Sequence, residues 1–541
     1  MRRFQAVALA CLALPLVTQA QGPLIRPRYS SPSTPSNEVL RRLGMRLAWQ
    51  ATVPMDGRKD GFARILIDNE DLLVLTRSGM LARINAETGK FYWKTRVGRP
   101  YTTTPTISAN FRSVFVVMNA EASSIERERG TQEWRMDLPT GLSAAPVVGE
   151  VVVEKVTEDV YFFPGANNHL SAYVLPPPEE YLAGLSARDR RDLGKPRRLW
   201  SAESNLELTF QPLRTASILF AISPSGKGRA FNTRNGEEAY RFEAFGKVHS
   251  RPGQHGDDAY IGSDDGNVYA LSLLAGKLRW RHTAGSSIRN TPAALDTDVF
   301  VTSDREGMAR LDAETGDSKW KVAIKGRVSS TNPDADLFLA ASERFVYALD
   351  FSGRTVILDR KRGTTLSRVD WSAWTIPVVN MVTDRLYLAA NDGTIVCLHD
   401  QELPRPIRYR KAIEDREAPI HRRLERFVTE ESNREGRLED HLKYLAKKYN
   451  FKFEFDMARL KLAKMEGVKD REVKLPRVDE KPLADLLEKL LDLVEARYDI
   501  FEGMIRILPG KPPPGAPKDK EPKDKEPKDK DRKPPDMRKG G

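Results

Sequence analysis

Apolar side chains recur along most of this chain in runs of about five, each broken by a turn built from Gly, Asp, Ser or Thr. Such runs predict short strands with a buried face. The clearest stretch is Tyr260-Ile261-Gly262-Ser263, the turn Asp264-Asp265-Gly266, then Asn267-Val268-Tyr269-Ala270-Leu271, with Gly276 and Trp280 beyond it. Val299 to Ser303, Gly307, Ala309 to Asp312, Thr315-Gly316 and Trp320 repeat the order. Leu72 to Thr76, Gly79, Leu81 to Ile84, Thr88-Gly89 and Trp93 are an earlier copy. The glycine of the second turn falls at Gly89, Gly130, Gly194, Gly236, Gly276, Gly316 and Gly363, mostly 40 to 47 residues apart. The longer gap from Gly130 to Gly194 holds an insertion. Aromatic partners follow at Trp93, Trp134, Trp200, Tyr240, Trp280 and Trp320, whereas the Gly363 copy carries Leu366 and Val369 on that strand.

Each feature has a physical cause. Asp-Gly and Ser-Gly supply the positive φ of a tight hairpin, and Thr-Gly does the same before the last strand. The Trp is a broad plate that wedges between neighbouring sheets with its N–H paired. One four-stranded sheet cannot bury both faces alone, but several in a ring can, which predicts a β-propeller. At the N-terminal end, Gly44 and Trp49 resemble a fourth strand with no three before it. Leu386 to Ala390, Gly393 and Ile395 to Leu398 resemble inner strands with no fourth. The two fragments complete one blade and close the ring. The expectation is an all-β propeller of eight four-stranded antiparallel blades over 45–400, with seven as the alternative. The repeat residues Trp49, Gly89, Trp93, Gly130, Trp134, Trp200, Gly236, Tyr240, Gly276, Trp280, Gly316 and Trp320 carry a structural role.

The spacing Ala309 through Trp320, and again Ala82 through Trp93, resembles the pyrroloquinoline-quinone-like repeat, Ala-x-x-x-x-x-Thr-Gly-x-x-x-Trp. That family includes quinone-dependent alcohol and sugar dehydrogenases. It also includes the propeller subunit of the outer-membrane β-barrel assembly machinery, a scaffold that binds no quinone. The resemblance therefore implies a fold but leaves the chemistry open. The enzyme reading needs a Ca²⁺ ligand set, an Asp base and stacking partners for the quinone. Many such dehydrogenases stack the quinone on a disulfide of adjacent cysteines, and this sequence has no adjacent cysteines and no Cys-x-x-Cys-His. Asp264-Asp265 and Asp296-Thr297-Asp298 are candidate acids, but each is expected in a hairpin loop as a solvated turn residue.

Composition narrows the setting. The 541 residues carry 87 Lys and Arg against 75 Asp and Glu, a surplus of 12 that favours anionic neighbours. The basic residues are dispersed among acids, so nucleic acid is not expected as a partner. Arg2-Arg3, the apolar run Ala6 to Val17 and Thr18-Gln19-Ala20 read as a signal peptide cleaved after Ala20. No later run is long enough to span a bilayer. The mature chain is thus expected to be periplasmic or secreted, without a membrane span. Cys11 lies in the leader, where a lipid is the alternative, and Cys397 lies in an apolar strand as an inert buried thiol. The seven histidines show no metal-ligand spacing. Gly226-Lys227-Gly228 reads as a hairpin turn.

Pro176-Pro177-Pro178 opens the insertion, whose middle, Glu179 to Leu193, has helical spacing and carries Arg188, Arg190 and Arg191. Beyond 400 the repeat stops. Leu438, Leu442 and Leu445 predict a helix, Phe451, Phe453 and Phe455 a strand, and Val473 with Leu475 a second strand. Pro482 opens a helix whose apolar face is Leu483, Leu486, Leu487, Leu490, Leu491 and Val494, and Tyr498 to Leu508 predicts a hairpin. This α+β unit resembles the short N-terminal domain of secretins and TonB-dependent receptors, which docks envelope proteins. Lys-Asp-Lys-Glu-Pro repeats after 510 predict disorder. The expected domains are a signal peptide at 1–20, a linker at 21–44, the propeller at 45–400, a linker at 401–430, the α+β unit at 431–510 and the tail at 511–541. The expected function is a non-catalytic cell-envelope scaffold that binds envelope or outer-membrane proteins, with outer-membrane protein assembly as one setting. No catalytic, cofactor or metal residues are assigned. The alternative is a dehydrogenase using pyrroloquinoline quinone (PQQ) and Ca²⁺.

Overall fold

Short apolar runs and Gly turns fold here into eight four-stranded antiparallel sheets between residues 45 and 400, the arrangement of a β-propeller. The structure, a computed structural model, describes residues 29–510 except 56–58, 99–105, 111, 119, 139, 154–155, 178–181, 185, 325–326, 404–405, 410–419, 421–422, 431–433, 450 and 502–503. The leader read at 1–20, with Cys11, and the tail at 511–541 lie outside the described residues.

Seven of the sheets follow one another along the chain. The first runs from Phe62–Asp68 to Phe91–Arg96 and the second from Thr106–Ala109 to Gln132–Asp137. The third runs from Val147–Val153 to Arg197–Glu203, the fourth from Leu213–Arg214 to Glu238–Glu243, and the fifth from Gly253–His255 to Lys277–Thr283. The sixth begins at Ala293–Leu295, and the seventh runs from Leu337–Ala341 to Thr365–Val369. Burial follows position in the sheet. The second strands Asp71–Thr76, Ser113–Met118 and Asp298–Ser303 are buried at every residue, because neighbouring sheets cover both faces. The fourth strand Phe91–Arg96 alternates between half-buried and exposed, because one face meets water.

The eighth sheet closes the ring. Strand Met45–Thr52 pairs antiparallel with Thr394–Asp400, Trp49 opposite Cys397, and Leu386–Ala389 and Ile376–Pro377 complete the sheet. Closure by the two ends of the repeat region removes the open edges a linear stack would leave. Before that strand, the stretch read as a linker holds a helix, Asn37–Arg42, with Ser36 capping the Val39 N–H and Leu40 buried between the seventh and eighth sheets.

Four details differ from the sequence expectation. Gly194 is not a turn glycine; it caps the insertion helix Ala187–Leu193 with φ −78°. That helix takes only the second half of the stretch with helical spacing and buries none of its side chains. Trp320 does not lie on a regular fourth strand. Ser318 bridges Leu311, a hairpin of Val322–Ile324 and Arg327–Ser329 then departs, and Thr331–Asn332 returns to complete the sixth sheet. Phe451 precedes its strand, which covers Phe453–Phe455.

Beyond 420, a separate core forms around Leu438, Leu442, Leu445, Leu475, Leu483, Leu486, Leu487, Leu490 and Ile505. Helices Leu438–Tyr449 and Leu483–Asp492 supply most of it. A three-stranded sheet covers them, ordered Phe453–Phe455, Met504–Pro509, Ala496–Phe501, with the first pair parallel. Ile420, Leu424 and Val428, from the stretch read as linker, belong to this core. A strand there, Phe427–Glu430, pairs with Val478–Pro482.

Candidate interaction surfaces

The repeat residues meet across neighbouring sheets, not within one. The indole of Trp49 packs on Gly89, Trp93 on Gly130, Trp200 on Gly236, Trp280 on Gly316 and Trp320 on Gly363, while the Tyr240 ring packs on Gly276. The contact is close: a Cβ on Gly236 would lie 2.6 Å from the Trp200 ring. These glycines also hold positive φ, so no other residue fits both demands. Each aromatic then donates to a backbone carbonyl of the next sheet: Trp49 to Ala86 at 3.0 Å, Trp93 to Arg127 at 2.8 Å, Trp200 to Thr233 at 2.9 Å, Tyr240 to Leu273 at 2.7 Å, Trp280 to Ala313 at 3.0 Å and Trp320 to Arg360 at 2.8 Å.

Two junctions depart from this latch. Between the seventh and eighth sheets the aromatic is missing, and Arg344 lies over the Phe345 ring at 4.7 Å and forks onto Asp400 at 2.9 and 2.7 Å, with Gly44 against the Phe345 ring. Between the second and third sheets, the insertion has replaced the turn that would carry the glycine. Trp134 remains buried there, and its indole N–H has no acceptor among the described residues.

The C-terminal unit meets the propeller beside that second junction. Arg112 donates to the Pro176 carbonyl at 2.8 Å and approaches Glu133 and Asp159 at 3.7 and 3.9 Å. Arg426 comes within 3.7 Å of the same Asp159, and Lys452 within 3.1 Å of Glu128. Burial, reinforced by the like charges of Arg426 and Arg112, lowers the Arg423 guanidinium to about 10, with Asp159 opposing. Burial raises the Glu158 carboxyl, with Arg426 opposing. A second tie comes from the chain just past the propeller. Arg408 reaches Glu70 at 2.9 Å and Glu87 at 2.8 Å, and the Tyr409 hydroxyl donates to the Ala341 carbonyl at 3.0 Å.

The candidate acids do not gather. Asp264 holds His249 at 2.6 Å and the Ser287 hydroxyl, and Asp265 accepts from the Tyr269 hydroxyl. Asp296 lies 3.8 Å from His255. Asp298 is not a solvated turn residue, because it starts a fully buried strand and is itself 0% exposed. Its oxygens take Arg360 at 2.6 Å, Arg310 at 2.9 Å and Lys319 at 3.0 Å. Burial would raise this carboxyl, but the Arg360 hydrogen bond and the Arg310 charge outweigh it and hold it below the ordinary value. An Asp so placed ties the sixth sheet to the seventh and has no lone pair to spare for Ca²⁺ or a quinone. Among the described residues, no group of three His, Cys, Asp or Glu side chains could hold a metal ion. Sequence reasoning missed Arg360, Arg127 and Asp71, whose buried pairing crosses sheets and leaves no local pattern. Cys397 is buried, and burial pushes its thiol up to about 11 against the pull of Arg385. No described helix is long and apolar enough to cross a membrane.

A family model described as outer membrane protein assembly factor BamB (PQQ_2) matches residues 42–273 and 197–402, together about two thirds of the chain. No curated protein matches. Among solved structures, BamB from Moraxella catarrhalis is similar at 12% identity and a TM-score of 0.45, covering 66% of this chain and 99% of that one. The computationally designed Ika8 protein is similar at 12% identity and a TM-score of 0.44, covering 64% of this chain and 98% of that one.

Proposed function

Because the chain belongs to the family of outer membrane protein assembly factor BamB, we propose that it is a non-catalytic scaffold of the cell envelope that serves outer-membrane protein assembly. The observation that carries this reading is the extent of the family match, which takes in all eight sheets, including the strand that closes the ring. In this reading each sheet is one blade of an eight-bladed propeller. The ring is a rigid platform, and residues 431–510 form a second docking module of the type found in secretins and TonB-dependent receptors. The chain reaches the envelope through a leader cleaved near Ala20, and its partners are envelope or outer-membrane proteins.

The family also contains quinone dehydrogenases, so the enzyme alternative needs its own test. Against it stands the use made of the aromatic plates and buried acids. The indoles of the latch spend their N–H groups on neighbouring sheets, and Asp298 is surrounded by three cations. The indoles also lie, buried or half-buried, with a ring face against a glycine of the next sheet, so neither they nor Asp298 is free to stack on or ligate a cofactor. The purified full chain, incubated with PQQ and Ca²⁺, is expected to gain neither the quinone absorbance nor dye-linked alcohol oxidation. Stoichiometric quinone binding with turnover would replace the scaffold reading.

A further inference from the structure

The three-stranded sheet of the C-terminal unit ends on strand Ala496–Phe501, which among the described residues has a neighbour on one side only. Its pairing with Met504–Pro509 runs from Phe501 opposite Met504 to Ala496 opposite Pro509, and the Gly510 N–H continues it to the Glu495 carbonyl at 2.8 Å. Antiparallel pairs alternate between residues bonded inward and residues whose main-chain groups face outward. With Glu495 bonded inward, Ala496, Tyr498 and Ile500 turn their N–H and C=O groups outward. Among the described residues no main-chain group meets them there.

A groove of about 680 Å³ runs along this edge, lined by Leu424, Pro482, Ala484, Tyr498 and Ile500 and by the carboxylates of Glu425, Asp485 and Asp499. No cation lines it. Asp499 is satisfied by Arg506 at 2.9 and 2.7 Å, but Glu425 and Asp485 have no ion-pair partner among the described residues. Asp485 also lies in the first turn of its helix, a position that favours a carboxylate. Phe427, 41% exposed, stands opposite Pro482 at the margin of the groove.

We propose that this edge takes an extended basic segment of a partner protein as an added strand. Main-chain bonds would form to Tyr498 and Ile500, cations would face Glu425 and Asp485, and apolar side chains on alternate positions would fill the groove. Two other occupants fit poorly. The chain's own tail has prolines at 512, 513, 514, 517, 522, 527, 534 and 535 and only Met537 as a large apolar side chain, so it offers neither a continuous donor row nor an apolar face. A second copy pairing edge to edge would bring the same carboxylates together. The inference rests on the docking role proposed for residues 431–510 and names its surface and partner chemistry; it does not depend on what the propeller binds.

The test uses the full chain and a fluorescent heptapeptide of alternating Lys and Val, with the Glu–Val isomer as control. Binding is followed by anisotropy and by hydrogen exchange. The Lys–Val peptide is expected to bind and to protect the Tyr498 and Ile500 amides, and the Glu–Val peptide is expected not to bind. Glu425→Lys alone should weaken binding several-fold, and Glu425→Lys with Asp485→Lys at least ten-fold, with circular dichroism confirming that both variants are folded. Equal binding of the two peptides, or protection elsewhere in the chain, would overturn the proposal. Protection of those amides in the free chain would also overturn it, because the tail or a second copy would then hold the edge.

Discussion

Replacing Trp200 by Phe and Trp134 by Phe removes the same ring volume from two sites that are each 8% exposed, yet the two changes should differ sharply. Both residues occupy the same place on a fourth strand, so most of the lost ring packing cancels in the comparison; among the described residues only Trp200 of the two has a glycine under its ring, which widens the gap in the same direction. The N–H contribution does not cancel. Trp200 donates to the Thr233 carbonyl at 2.9 Å, and losing the donor leaves that carbonyl unpaired at a cost of about 1–3 kcal/mol. Trp134 has no acceptor among the described residues, so its replacement removes a buried unpaired donor and recovers energy of the same order. The expected gap between the variants is about 2 kcal/mol or more, with Trp200→Phe the less stable. Urea unfolding gives the gap as a shift in midpoint at constant slope. Local hydrogen exchange, read on Lys227–Asn232 for one variant and on Glu121–Glu126 for the other, separates the propeller from the C-terminal unit. Equal losses, or a larger loss for Trp134→Phe, would refute the view that the indole hydrogen bond carries the junction.

Gly236→Ala must strain a backbone at φ +73° and push the Trp200 ring, so it should cost more than the ~1–2 kcal/mol of the left-handed conformation alone, read by the same urea midpoint. Asp298→Asn leaves Arg360, Arg310 and Lys319 without their shared carboxylate and should cost about 3–5 kcal/mol. In the native chain the folded carboxyl lies below its unfolded value, so its contribution is complete above about pH 4 and is lost as pH falls through the folded value. A stability profile from pH 2 to 6 should therefore flatten in the Asn variant relative to the parent. The Cys397 thiol, buried and pushed up to about 11, should resist iodoacetamide at pH 8 until denaturant is added, as mass spectrometry of the labelled peptide would report.

Features that repeat along the sequence were legible in it. The Gly and Trp positions recur at nearly fixed spacing, and the incomplete fragments at Trp49 and Leu386 point to each other because a ring leaves no strand unpaired. The aromatic plate was read as a wedge between sheets, but its partner glycine lies one repeat further on, a relation that spacing within one copy does not reveal. Gly194 misled because the insertion placed a helix-capping glycine where a turn glycine was due. The sixth sheet misled because Gly316 and Trp320 keep their spacing while the strand behind them breaks into a hairpin. Asp298 follows a loop and was read as solvated, whereas its burial is set by Arg360, 62 residues away. In the C-terminal unit, the leucine spacing gave both long helices, but the strands at Phe427–Glu430 and Glu435–Arg437 are too short and charged to show alternation.

Crosslinking in intact envelopes, from photoreactive residues placed on the exposed faces of the propeller, tests the scaffold account most directly. At Phe245, 81% exposed, and Phe351, 68% exposed, the probe disturbs no buried contact. The account predicts crosslinks to identified components of the outer-membrane protein assembly apparatus, found by mass spectrometry and lost when the probe is moved into the buried strand at Val116. Crosslinks to no such component from any exposed face, together with quinone-dependent alcohol oxidation by the same preparation, would contradict it.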